Sequence, residues 1–258
     1  MRVAAIQHDI VWEDPAATQQ RVAPLVAQAV AGGARLVALT EMYSTGFSME
    51  AERIAEEPGG PGEAFLVERA KADGVWMAAS MPQRVPGVDR PQNVGLLVAP
   101  DGTVHRYAKI HPFSYAGEHE HYAPGRDTLT VEVDGVRVSL LICYDLRFAD
   151  TFWALAADTD CYLVVANWPD ARREHWRTLL AARAIENQAY VVGVNRAGDA
   201  NGLHYAGDSA AIAPLGETIV EADEREQVLF CDVDPEVVKK LRTRFPALED
   251  RRPEAYRR

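Results

Sequence analysis

Cysteine is scarce in this 258-residue chain, which has only Cys143, Cys161 and Cys231. Three scattered thiols exclude a disulfide framework, and without CxxC spacing they exclude a zinc site of that kind. Long apolar runs are also missing: none approaches the roughly 20 residues of a membrane span. Met1-Arg2 leads straight into the strand-like Val3-Ala4-Ala5-Ile6, without the pattern of a cleavable signal peptide. A cytoplasmic location is therefore expected, where a reduced compartment keeps Cys143 a thiol. Positive charge is in deficit, and the net charge of -11 argues against nucleic acid or an anionic membrane as partner. Any anionic substrate would need a local cluster of cations. Repeats and low-complexity segments are absent. With 48% hydrophobic residues, the chain can bury a full core as one domain, residues 1–258. Its short charged tail runs from Arg251-Arg252-Pro253 to Arg257-Arg258 and is expected to be mobile or packed against a partner subunit.

What is present begins with Cys143. It closes the apolar, β-prone run Val136–Ile142 and is followed at once by Tyr144-Asp145-Leu146-Arg147. A thiol delivered by a buried strand onto the turn before a helix is held rigidly beside backbone N–H groups, as a nucleophile and its oxyanion require. An isolated Cys in a strand is more often a small buried hydrophobe, but two charges occupy comparable junctions. Glu41 closes the run Arg35–Thr40, where partial desolvation suits a general base. Lys109 follows the short strand after the Asp101-Gly102 turn, and lysine is almost never fully buried without a partner. All three sit at strand-to-loop junctions, where ligands bind in sheet-based folds.

Strand-like and helical runs alternate along the chain. Apolar residues at helical spacing from Ala16 to Ala31 end in Gly32-Gly33 before the Leu36 strand. Helices are expected again over 63–72, 148–157 and 174–188, with strands at 75–80, 94–98, 161–166 and 190–194. Asp-Gly at 101–102 and at 134–135 reads as two hairpin turns. Hairpins mixed with β-α-β units predict an α/β fold of two packed mixed sheets covered by helices.

Three segments resemble the catalytic segments of the nitrilase (carbon–nitrogen hydrolase) superfamily, in its order: Thr40-Glu41-Met42, Tyr107-Ala108-Lys109-Ile110-His111 and Ile142-Cys143-Tyr144-Asp145-Leu146-Arg147-Phe148. Ala166-Asn167-Trp168-Pro169, Ala182–Asn187 and Gly193-Val194-Asn195-Arg196 resemble its later segments. Glu41–Phe47 and Gly117-Glu118-His119 are most similar to the bacterial ω-amidase-like branch. Thr40 and Ala149 stand where the family usually has proline. The resemblance implies the αββα sandwich of the nitrilase fold and a cofactor-independent amidase. Cys143 would attack the amide, its thiol made more acidic by Lys109 and a helix N-terminus, and Glu41 would act as base. Lys109 and the Tyr144 N–H would hold the oxyanion.

The long loop 112–127 holds Glu118, His119, Glu120 and His121 ahead of a Pro-Gly turn. Its spacing makes Glu118 resemble the family's second glutamate, with Glu120 the competing assignment. His119 and His121 on an extended segment would share a face, but without a nearby third ligand no metal is expected. Tyr43, Phe113 and Trp168 are candidate pocket walls, although plain core positions account for them equally. Arg147, Arg172 and Arg173 are candidates to hold a substrate carboxylate, while Asp145 and Arg147 are expected to pair with each other or with the helix end. His8, His111 and His175 are the only partners for a competing Cys–His hydrolase, a reading that leaves Glu41 and Lys109 unexplained. The branch implies small dicarboxylate monoamides such as 2-oxoglutaramate; N-carbamoyl compounds, nitriles, a silent binding module and a redox-sensing thiol are the alternatives. Apolar residues beyond one stripe on the helices after Cys143 and Asn167 (Phe152, Trp153, Leu155; Trp176, Leu179, Leu180) suggest a homodimer, since the family commonly pairs there. Otherwise both stripes belong to the core.

Overall fold

The computed structural model describes residues 1–255, so the last three tail residues lie outside the described chain. One six-stranded sheet holds β1 (Arg2–Gln7), β2 (Leu36–Ala38), β3 (Trp76–Gln83), β4 (Gln92–Val98), β5 (Val104–Ala108) and the last strand, β14 (Gln227–Asp232), in the order β14-β1-β2-β3-β4-β5. The second six-stranded sheet holds β6 (Thr130–Val133), β7 (Val136–Ile142), β8 (Cys161–Ala166), β9 (Tyr190–Asn195), β12 (Ala210–Ile212) and β13 (Thr218–Glu221), ordered β13-β12-β9-β8-β7-β6. In each sheet three central strands run parallel and the outer ones antiparallel. A hairpin of β10 (Ala197–Ala200) and β11 (Leu203–Ala206) stands apart from both.

Side-chain alternation places these layers. On β1, Val3 and Ala5 join the core shared by the two sheets, whereas Ala4 and Ile6 join a second core. Two helices cover that outer face: α1 (Pro15–Ala31) with Val22 and Val26, and α3 (Pro61–Asp73) with Leu66 and Ala70. Asp14 caps α1 by accepting from the Ala17 N–H at 3.0 Å, and Pro15 enters at the first turn, where it costs no hydrogen bond. The second sheet is covered by α5 (Ala149–Leu155) and α6 (Arg173–Asn187). Short helices α2 (Ala51–Ile54) and α4 (Glu118–His121) lie in loops, and α7 (Pro235–Arg244) follows β14. The result is the expected αββα sandwich of two mixed sheets flanked by helices.

Both Asp-Gly turns are hairpins. Asp134 and Gly135 have φ of 47° and 81°, as a two-residue turn matching strand twist requires. The apolar stripes of α5 and α6 differ from the dimer expectation. Phe152, Leu155, Trp176 and Leu180 are buried within this one chain, because they close the outer face of the second sheet. Trp153 is partly covered by the tail, where the Arg251 guanidinium lies 4.8 Å over its ring and donates to its carbonyl at 2.7 Å. Among the described residues, no helix is long and apolar enough to cross a membrane.

Candidate active site

Glu41 lies in the turn after β2, Lys109 one residue beyond β5, and Cys143 immediately beyond β7. Packing the sheets face to face brings these ends together. Glu41 is fully buried. Its Oε1 accepts from Lys109 Nζ at 2.8 Å and Asn93 Nδ2 at 2.9 Å, and its Oε2 from the Asn167 N–H at 2.9 Å. Lys109 Nζ also donates to both oxygens of Glu118, at 2.9 and 3.1 Å. Of the two competing glutamates, Glu118 is fully buried against the lysine and Glu120 is exposed. About half a helical turn separates them: α4 points Glu118 inward and leaves His119, Glu120 and His121 outside, so the histidines do not share an extended face. Among the described residues no group of three His, Cys, Asp or Glu side chains is arranged to hold a metal ion.

Cys143 has φ of 45°, a left-handed conformation that costs a non-glycine residue free energy unless its surroundings hold it. Asp145 supplies that hold. Its Oδ2 accepts from the Ile142 N–H at 3.0 Å and the Tyr107 hydroxyl at 2.7 Å, while its Oδ1 accepts from the His111 N–H at 3.1 Å and lies 2.8 Å from His111 Nδ1. One buried carboxylate thus ties the nucleophile turn to the lysine segment. Of the two expected partners of Asp145, it takes the end of the short helix, through the Ile142 N–H, and not Arg147. The three candidate histidines are also engaged elsewhere: His8 with Thr40, His111 with Asp145, and His175 with Arg147. The charged group that acts most strongly on the Cys143 thiol is instead Glu41.

The electrostatics correct one more expectation. Burial and the neighbouring Glu41 carboxylate push the Cys143 thiol well above the ordinary thiol range, and Lys109 only partly opposes them. No α-helix begins at Cys143; a 3-10 turn spans Cys143–Arg147, and α5 starts at Ala149. The resting nucleophile is therefore a thiol beside its base, not a preformed thiolate. Burial opposes the charge on Lys109, but the Glu118 and Glu41 carboxylates outweigh it and raise its pKa. Glu118 is pushed up by burial and by Glu41, against the pull of Lys109.

Above Cys143 opens a cavity of about 160 Å³. Phe113, Tyr144 and Trp168 wall it, with Arg147 and Arg172 among its lining residues. Tyr43 is not: its ring lies in the core under α3, with its hydroxyl donating to the Gly62 carbonyl at 2.8 Å. Arg173 is likewise removed as a carboxylate holder, since it is bound to Asp208 at 2.5 Å and Glu224 at 3.1 Å. Arg147 lies 4.8 Å over the Trp168 ring and Arg172 5.2 Å over Phe113. Neither has a carboxylate partner among the described residues. Burial and the nearby Arg172 lower the Arg147 pKa. Sequence reasoning assigned no role to Asn93, Asn167, Phe47, Tyr115, Leu203 or Tyr205, of which all but Asn93 line the cavity. Asn167 lies within a quoted segment, but nothing local marks Asn93 or Tyr205.

The Carbon-nitrogen hydrolase family model matches residues 2–243. The omega-amidase YafV of Yersinia enterocolitica is 40% identical, covering 97% of this chain and 96% of that protein. The 2-oxoglutaramate amidase of Bacillus subtilis is 28% identical over 98% of each. Among solved structures, XC1258 from Xanthomonas campestris, a CN-hydrolase superfamily protein with an arsenic adduct in its active site, superposes with a TM-score of 0.92 at 40% identity, covering 98% and 97% of the two chains. The fold, the buried Glu-Lys-Glu cluster beside a cysteine and these likenesses together make this chain a member of the carbon-nitrogen hydrolase family.

Proposed function

We propose that this enzyme hydrolyses the terminal amide of a small dicarboxylate monoamide, such as 2-oxoglutaramate, to the acid and ammonia. The observation that carries the substrate reading is the pair of guanidinium groups, Arg147 and Arg172, lining the cavity above Cys143 without carboxylate partners in a chain of net charge -11. A substrate with an amide at one end and a carboxylate at the other spans from thiol to cation. The relatives that are an omega-amidase and a 2-oxoglutaramate amidase support the same class. N-carbamoyl compounds and nitriles share the chemistry but do not by themselves call for the two cations.

The reaction follows from where charge develops. Cys143 Sγ attacks the amide carbon while its proton passes to Glu41, the neighbouring carboxylate. The oxyanion is held by Lys109 and the Tyr144 N–H; such a donor is typically worth about 3 kcal/mol in the transition state. Glu41 returns the proton to the departing nitrogen, the C–N bond breaks, and ammonia leaves a thioester on Cys143. Glu41 then takes a proton from water, whose oxygen attacks the thioester, and the acid departs as the thiol is restored. Glu118 anchors the lysine throughout, and no cofactor takes part. The raised Cys143 pKa weighs against a redox-sensing thiol, which depends on a stable thiolate.

The whole chain serves as one hydrolase domain in this reading, working in the cytoplasm, where its three free thiols stay reduced. We place a homodimer contact beside α6, where Ile185 and Leu215 are 54% and 63% exposed. A monomer by light scattering at micromolar concentration would refute it. The substrate test compares kcat/KM for succinamate and butyramide, amides of equal length. Succinamate should lead by about tenfold or more if one charge-assisted contact is gained, and Arg172→Ala should erase most of that lead. Equal values, or a preference for butyramide, would remove the dicarboxylate reading and leave the amidase chemistry standing.

A further inference from the structure

We infer that Asn93, oriented by Ser80, is the positioning residue that keeps the Glu41 and Glu118 carboxylates ionised and separately aimed around a single lysine. The inference rests on the reading of Glu41 as general base.

Two carboxylates share Lys109 Nζ in a site closed to solvent. Like charges so placed favour protonation of one of them. A proton resident there would spoil proton acceptance from Cys143. A second cation would relieve the repulsion but would also pin Glu41 and dull it as a base. Asn93 provides a neutral remedy, donating its amide Nδ2 to Glu41 Oε1 at 2.9 Å and to Glu118 Oε1 at 3.2 Å. Donors to the charged form favour that form.

The amide cannot turn over. Asn93 Oδ1 accepts from Ser80 Oγ at 2.8 Å, and Ser80 Oγ itself accepts from the Met42 N–H at 2.9 Å, so its own proton must go to Asn93. A flipped amide would set its oxygen against two carboxylates and its NH2 against Ser80. The direction Met42 N–H to Ser80 to Asn93 to the carboxylate pair is thus forced. The backbone reinforces it. The Asn93 carbonyl accepts from the Lys109 N–H at 2.9 Å, while Ser80 donates its N–H to the Thr40 carbonyl at 3.3 Å and accepts from the Tyr43 N–H at 3.0 Å. Ser80 and Asn93, on β3 and β4, therefore hold the residues flanking Glu41 as well as the lysine. Both are buried.

The ionisable groups facing the pair are Lys109, Cys143, Tyr122 on the chain after α4, and Tyr205 on β11. Burial keeps both tyrosines neutral, with Tyr205 raised to about 12. Neither tyrosine therefore competes with the carboxylate pair at acid pH.

The test uses full-length Asn93→Ala, Ser80→Ala and the double variant, with succinamate hydrolysis and iodoacetamide labelling of Cys143 followed between about pH 4 and 9. Asn93→Ala should move the acid limb of both profiles upward by about one pH unit or more, lowering kcat more than it changes KM. Ser80→Ala should shift it the same way by less, and add little in the Asn93→Ala background, because its hydroxyl acts through that amide. An unmoved limb with activity lowered uniformly at every pH would reduce Asn93 to packing and overturn the inference. Additive shifts in the double variant would overturn the role of Ser80. If Asn93→Ala does not fold, the limb of Ser80→Ala alone decides. Wild-type protein inert toward succinamate would fail the substrate reading, while the labelling profile still tests this one.

Discussion

Glu41→Gln separates the base from its shape. Glu41 accepts from Lys109 and Asn93 on one oxygen and from the Asn167 N–H on the other. Glutamine has one acceptor oxygen and one NH2. If the oxygen keeps Lys109 and Asn93, the NH2 confronts the Asn167 N–H; the opposite rotamer confronts an ammonium and an amide. Either arrangement leaves a buried donor unpaired, at about 1–3 kcal/mol. For a chain of this size each kcal/mol shifts Tm by about 2–4 °C, so the variant should fold and melt measurably earlier. Lys109 remains balanced by Glu118 at 2.9 Å. Catalysis should suffer far more, because acylation and thioester hydrolysis both lose their proton carrier and each should slow by about 10²-fold or more. Ammonia release gives the steady-state rate, and intact-mass measurement of the acyl-enzyme separates the half-reactions. No thioester should accumulate. Near-normal turnover would sink the base assignment, and rapid acylation with stalled hydrolysis would confine Glu41 to the second step.

Cys143→Ala should abolish turnover and leave the fold intact, and iodoacetamide should single out Cys143 over the buried strand residues Cys161 and Cys231; equal native labelling of all three would count against the nucleophile. Lys109→Arg keeps the charge but not the compact ammonium that meets two carboxylates, so kcat should fall severely, and an active variant would show that geometry at Nζ is immaterial. His8 is buried, and that burial lowers its pKa from 6.5 to about 4. The unfolded chain then binds more protons than the folded one below pH 6.5, so stability is complete above that pH and is lost as pH falls toward 4, by about 3 kcal/mol in all. Urea unfolding at neutral and acid pH should show this loss in the wild type and its absence in His8→Gln; parallel losses would place the effect elsewhere.

Apolar patterning sufficed to place most elements, since Pro15–Ala31 carries a helical period and Cys161–Ala166 is a short continuous apolar run. Two Asp-Gly pairs likewise marked two hairpins, because so short a turn depends on its own residues. Glu41, Lys109 and Cys143 were legible because each follows the end of a strand with a group that chemistry needs. What local sequence could not carry was anything decided across the sheets. Whether Glu118 or Glu120 faces inward depended on the direction of one helical turn. Tyr43 and Trp168 are both aromatics in loops after parallel strands, yet the sandwich sends one under α3 and the other to the cavity. Arg172 and Arg173 are neighbours, and only the position of Asp208 occupies one and leaves the other to the cavity. Asn93 had no signal at all, because its importance lies in carboxylates 25 and 52 residues away. The Cys143 pKa was misjudged from sequence for the same reason: burial and the distance to Glu41 set it, and both exist only once the two sheets have closed on each other.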